Sequence, residues 1–183
     1  MSDAVLELEY STDIDYERLF KMSKEEVIEY AYEGFQVGGL THDQFVSMGK
    51  MMLRTCDIVG LTPDNEQLLF VLSDMHRTLC ESCAGSGKTT MSQMCVLKYK
   101  MVNRIKSGEI LCLAYNKNAV ADMEDRHENL VFAINKVLRE SYEAQIRKNI
   151  PVKPWKDVMV DKAIRCSTIH AWSREWVVTF ADR

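Results

Sequence analysis

The sequence predicts an α/β domain on a parallel sheet, incomplete in itself and preceded by a small helical appendage. Three observations carry this. A glycine-rich turn, ESCAGSGKTT from Glu81 to Thr90, lies between an apolar run and a helical pattern. Two further apolar runs alternate with helical patterns after it. The front of the chain is acidic and carries two helix-start signals.

Ser23 with Glu26, and Thr41 with Gln44, have the spacing of a capping box, in which a hydroxyl and a later carboxylate or amide satisfy each other's backbone donors. Each should open a helix, and the second puts Phe45, Met48 and Met52 on one core-type stripe. Residues 1–58 therefore form the expected appendage, joined through Asp57-Ile-Val-Gly60 to a unit spanning 59–183. Thr62 followed by Pro63 reads as an N-cap and a first helical residue, opening a short helix through Gln67, Leu68 and Phe70.

A strand over 77–82 then feeds the glycine loop, and the loop opens into a helix over 89–102. A buried strand is expected over 110–115 and a helix over 119–126. Leu130, Ile134, Val137, Leu138 and Ile146 keep helical spacing within 128–148, with Pro151 and Pro154 ending that helix. The stretch 128–161 reads as a helical insertion, with Trp155 either a partner contact or a packed cap on its end. A third strand over 163–167 and a closing helix over 171–180 complete the alternation.

Composition narrows the class. With 183 residues, 46% of them apolar and 27% charged, the chain can bury the core of one medium domain. No apolar run reaches the roughly 18 residues of a membrane helix, and the acidic start is unlike a secretory signal. The expected location is the cytoplasm, that of the host if the protein is viral. Cys56, Cys80, Cys83, Cys95, Cys112 and Cys166 follow no disulfide framework and read as reduced thiols. Cys80 and Cys83 have CxxC spacing but no second Cys/His pair, which favours packing at a strand end over zinc or redox chemistry. Residues 1–60 carry 12 acidic against 5 basic side chains, so the net charge of −4 hides a front of −7 and a remainder of +3. The remainder is the better candidate for a polyanionic partner, although two ordinary solvated surfaces would give the same charges.

A glycine turn between strand and helix aims several backbone N–H groups at one anion, and the helix N-terminus adds partial positive charge. A lysine after the last glycine reaches the β- and γ-phosphates, and the next hydroxyl ligates Mg²⁺. Ala84, Gly85, Ser86, Gly87, Lys88, Thr89 and Thr90 fill these places, with Thr89 as the metal-ligating hydroxyl. Ser82 stands where the general pattern has its first glycine.

Four motifs in order, TPDNEQ at 62–67, the glycine loop, LAYNK at 113–117 with AVADM at 119–123, and STIH at 167–170, resemble the first motifs of UvrD/Rep-like superfamily 1 DNA helicases. The likeness is to the branch of phage-type and F-box-type helicases, and it covers about residues 61–175. The resemblance implies a RecA-like P-loop fold, ATP and Mg²⁺ as cofactors, and single-stranded DNA as partner. It implies that Gln67 reads the adenine edge and that the loop holds the triphosphate. Tyr115, Asn116 and Lys117 would form the first DNA contact, and Thr168 and His170 the second. Travel would run 3′ to 5′. An exposed aromatic ring can stack on a base, while an amide, a lysine and hydroxyls hold phosphates without reading sequence. Read from the residues alone, Tyr115 could instead be a core ring at a strand end, and His170 a packed helix-start histidine.

In the resembled family the second Mg²⁺-positioning aspartate, its neighbouring glutamate and the arginines come after the fourth motif, whereas this sequence ends at Arg183. Asp161, closing the apolar run Val158-Met-Val, lacks that glutamate and is a poor substitute. The expectation is the ATP-binding N-terminal part of a UvrD-like helicase, inactive alone, that would drive translocation and unwinding when complete. The alternative is a truncated, helicase-derived binding protein, viral proteins being one such source. It would engage a protein partner through residues 1–58 or the 128–161 arm, without motor activity.

Overall fold

A computed structural model of the chain describes residues 14–34, 40–73, 85–103 and 110–181. The strand expected over 77–82, Ala84 and the Cys80/Cys83 pair lie outside these residues. Helices α1 (Tyr16–Leu19), α2 (Lys24–Gly34), α3 (His42–Ile58), α4 (Asn65–Leu72) and α5 (Lys88–Asn103) are followed by β1 (Leu111–Ala114). Helix α6 (Lys117–Arg147), a 3-10 turn at Trp155–Asp157, β2 (Arg165–Thr168) and α7 (Ile169–Ala181) complete the described chain. It is a helix-rich α/β arrangement whose described sheet is one parallel pair, with Leu111 opposite Arg165 and Ala114 opposite Thr168.

Helix starts follow the local chemistry. Ser23 and Glu26 exchange their capping bonds, at 2.7 and 3.2 Å, and Thr41 and Gln44 form the second box. The start of α4 differs from expectation. Its cap is Asp64, not Thr62, and Pro63 lies outside the helix. Asp64 and Gln67 form a capping box of their own, and a carboxylate facing the positive helix end is the stronger acceptor. The first helical residue, Asn65, is buried. Its amide donates to the carbonyls of Leu19 and Met22 at 2.7 and 2.8 Å and accepts from the Lys24 ammonium at 2.6 Å, tying the α1–α2 turn to α4.

The core lies where α3 and α5 pack on α6, α4 packs on α5, and α2 bridges α3 and α4. Phe45, Met48 and Met52 are buried, as their stripe predicts, beside Val27, Ile28, Leu69 and Leu72. Gly49 lets α3 approach α2, since a Cβ there would sit 2.9 Å from the Ile28 side chain.

The two helices expected over 119–126 and 128–148 are one helix of 31 residues. The core stripe does not break between them but passes through His127, which is fully buried, and continues through Leu130, Val131, Ile134 and Val137. Ile146, which keeps the spacing of this stripe, is 48% exposed and lies outside the core. The helix ends before either proline is reached. Asn149 takes a φ of 55°, Ile150 N–H bonds to the Gln145 carbonyl at 3.0 Å, and Asn149 N–H bonds to the Ile146 carbonyl at 2.9 Å. This is the left-handed helix closure that asparagine tolerates better than other non-glycine residues. The chain then returns along α6. Trp155 packs edge-on to Tyr142 with Arg139 over its ring, the packed-cap alternative for this residue. The Asn135 amide clasps Val160 through two 2.8 Å bonds, to its carbonyl and from its N–H.

The run into β2 is held from beneath by Lys100. This lysine is nearly buried, and its ammonium donates to the carbonyls of Asp161, at 2.9 Å, and Ala163. The Asp161 carboxylate stands 3.5 Å from the same ammonium. Burial lowers the pKa of Lys100 and the Asp161 charge opposes that effect. Asp161 precedes β2 in an irregular segment and serves there as a structural partner.

Candidate functional site

Gln67 occupies the third position of α4 and faces two ways. Its side-chain oxygen accepts from Asp64 N–H at 3.0 Å, closing the cap, and its Nε2 donates to the Ser86 carbonyl at 2.9 Å. A residue dictated locally by helix capping thus anchors the glycine loop. The loop turns through Gly85 and Gly87 with φ of 84° and 80°, a region open to glycine at little cost. A Cβ on Gly87 would meet Gln67 Nε2 at an ordinary 3.6 Å, so backbone conformation and not crowding requires glycine there.

Lys88 is the first residue of α5, and the helix ladder starts with Met91 N–H on the Gly87 carbonyl at 2.9 Å. The N–H groups of the first turn, which includes Lys88, Thr89 and Thr90, have no acceptor within the helix and stand at its positive end. Such a turn, with two left-handed glycines before it, suits an oxyanion ligand. Thr89 is half-buried at the second helical position. Thr90 is buried, and its hydroxyl accepts from Arg126 Nη1 of α6 at 2.8 Å. Among the described residues no group of three or more His, Cys, Asp or Glu is placed to hold a metal ion.

A second set of residues gathers at the C-terminal ends of the paired strands. Tyr115 follows Ala114, and Thr168 is the register partner of Ala114, so the segments 115–117 and 168–170 leave the sheet side by side. In open parallel sheets this end is where ligands bind. Tyr115 is 78% exposed, which rules out the core-ring alternative, and Lys117 and His170 are exposed as well. Asn116 has a structural task, for its side chain caps α6 by accepting from Ala119 N–H at 2.8 Å. Thr168 does the same for α7, accepting from Ala171 N–H at 3.2 Å. The structure thus brings Gln67, Gly85, Ser86, Gly87, Lys88, Thr89 and Thr90 into one region, and Tyr115, Asn116, Lys117, Thr168 and His170 into another.

Three residues here carry no sequence signal. Arg126 is held by Asp122 at 2.8 Å as well as by Thr90. Lys100 clamps the carbonyls of Asp161 and Ala163. His127 has no hydrogen-bond partner for either ring nitrogen among the described residues, and burial first, then the Lys100 charge, lowers its pKa to about 4. Cys112 and Cys166 are register partners on β1 and β2 and are free thiols. Burial raises both, Cys166 to about 12, so neither is a ready thiolate nucleophile. Cys56 and Cys95 are also free. No helix among the described residues is long and apolar enough to cross a membrane.

Compared with known proteins, residues 63–183 match the family described as the UvrD/REP helicase N-terminal domain. No curated protein and no solved structure matches the chain.

Proposed function

The chain belongs to the UvrD/REP helicase N-terminal domain family, and we propose from that premise that it is the ATP-holding front of a superfamily 1 DNA motor on a RecA-like phosphate-loop fold. Its branch in this reading is the phage-type or F-box-type one, and its place is the cytoplasm. In a complete motor of this kind, ATP bound with Mg²⁺ supplies the free energy for movement along single-stranded DNA and for strand separation.

The observation that carries the reading is the bond from Gln67 to the loop carbonyl of Ser86. A primary amide has two N–H donors and two acceptor lone pairs. The cap uses one lone pair and the loop one hydrogen, leaving one of each for the complementary edge of adenine, its N6 amino group and N7. The same side chain thus links base recognition to the conformation of the phosphate-holding loop. Lys88 would meet the β- and γ-phosphates, Thr89 would ligate Mg²⁺, and the first-turn amides of α5 would hold phosphate oxygens. At the strand ends, Tyr115 would stack on a base and Lys117 would meet a phosphate, with Thr168 and His170 beside them. These contacts need no base sequence.

Titration calorimetry of Mg-ATP into the chain and into Lys88→Ala tests the reading. Binding that disappears in the variant supports it, and equal affinity in the two proteins refutes it. The polynucleotide half is tested separately: Tyr115→Ala should weaken binding to oligothymidylate by about 1–3 kcal/mol and leave Mg-ATP affinity alone in the absence of DNA.

A further inference from the structure

Helix α6 meets both candidate regions. Its first residue is Lys117, next to Tyr115 and Asn116 at the strand ends. Farther along, about 13 Å at the ~1.5 Å rise per residue of an α-helix, Arg126 reaches α5 and donates from Nη1 to the Thr90 hydroxyl at 2.8 Å. Its Nε is held by Asp122, one turn back on the same helix, at 2.8 Å. The guanidinium is therefore aimed by its own helix before it meets Thr90. The acceptor sits in the first turn of α5, next to Thr89 and just past Lys88, and is only 6% exposed.

Elsewhere α5 and α6 pack together with Met91, Met94, Leu97, Leu130 and Ile134 in one apolar cluster, and with the buried His127 of α6 under the influence of the Lys100 charge of α5. Apolar packing is non-directional and tolerates small sliding, whereas a charge-assisted hydrogen bond to a buried hydroxyl fixes one register. A small movement of α6 at its start, where Lys117 lies, would thereby be carried to the turn that presents Lys88 and Thr89. No break in the helix intervenes to absorb it.

We propose that Arg126 is a positioning residue that couples the two sites, so that a polynucleotide bound at the start of α6 changes the affinity of the glycine loop for nucleotide. The proposal rests on the functional reading above. Coupling between two sites is reciprocal and is measured as a ratio of affinities. The experiment titrates Mg-ATP into the full chain with and without saturating oligothymidylate, for the wild type, Arg126→Ala and Thr90→Val, and records thermal melting of each.

The expected wild-type ratio of the two ATP dissociation constants is about 5 or more, in the ordinary range of allosteric coupling. In Arg126→Ala the ratio should fall to about one, with melting close to wild type because the side chain is 46% exposed. Thr90→Val removes the acceptor from the other side and should abolish the ratio as well. A wild-type ratio retained by either variant overturns the proposal, as does a ratio of one in the wild type when both ligands bind. Absence of Mg-ATP binding in the wild type, or its persistence in Lys88→Ala, would instead defeat the functional reading on which the proposal stands. The two failures are therefore separable.

Discussion

Replacing Gln67 with glutamate divides the two jobs of one side chain. A glutamate at the third helical position can still accept from Asp64 N–H, so the capping box survives. The other arm changes sign: where Nε2 now donates to the Ser86 carbonyl at 2.9 Å, a carboxylate oxygen would face a carbonyl oxygen. The lost bond accounts for about 1 kcal/mol, and an unsatisfied acceptor in a half-buried setting adds up to about 2 more. The negative charge near the start of α4 returns a few tenths to about 1 kcal/mol. The net expectation is a loss of about 1–2 kcal/mol, which for a chain of this size lowers Tm by about 2–8 °C. Differential scanning calorimetry of the wild type, Gln67→Glu and Gln67→Ala measures it. Gln67→Ala, which loses the cap as well, should melt lower than wild type too. Gln67→Glu should also lose Mg-ATP affinity, because the loop no longer has its tether and the base edge meets an acceptor in place of a donor. A Gln67→Glu protein that melts at the wild-type temperature and binds Mg-ATP unchanged would refute both the geometry and the role given to this contact.

Three further outcomes follow from the buried polar groups and the core. Because the folded pKa of His127 is about 4 against an ordinary value of 6.5, the unfolded chain binds the proton more readily. Its stabilising effect is therefore intact above pH 6.5 and is lost as pH falls toward 4, reaching about 3 kcal/mol. Urea unfolding across that range should show this slope, and His127→Leu should flatten it. Lys100→Ala leaves the carbonyls of Asp161 and Ala163 without their donor, and should cost about 2–4 kcal/mol in urea unfolding; a cost below about 0.5 kcal/mol would contradict the clamp. Ile134→Ala, at a fully buried position of α6, the helix that packs on both α3 and α5, should cost about 2–5 kcal/mol in the same assay.

The parts of this architecture legible in the sequence are those set by nearest neighbours. Capping boxes at Ser23 and Thr41 follow from residues three apart, and the apolar stripe of α3 from its period. The glycine loop was legible because the left-handed turns at Gly85 and Gly87 demand a residue type. What escaped was decided by contacts distant in sequence. His127 looks like a polar interruption of α6 until the surrounding elements bury it, so a continuous helix reads as two. Ile146 keeps the period of the stripe yet stays exposed, because period alone does not say which turns of a helix another element covers. Asn149 closes α6 through backbone conformation, which the more conspicuous prolines after it concealed. Asp64 outranks Thr62 as a cap because it pairs with Gln67, and the same pairing places Gln67 against the loop. Nothing local announces that Arg126 meets Thr90, because that contact exists only once α5 and α6 pack.

The clasp of Asn135 on Val160, with Lys162 paired to Glu128 at 2.8 Å just outside it, closes the excursion between β1 and β2 at its base. Chain added or removed at the tip, between Lys148 and Pro154, would then bear on loop closure alone, a cost that grows only with the logarithm of length. The register of Ala114 against Thr168, and with it the spacing of the segments 115–117 and 168–170 that are proposed to meet a polynucleotide, is insulated from such changes. The excursion is thus a place where reach can be lengthened or shortened, or a foreign segment grafted, without retuning the sheet that carries the site.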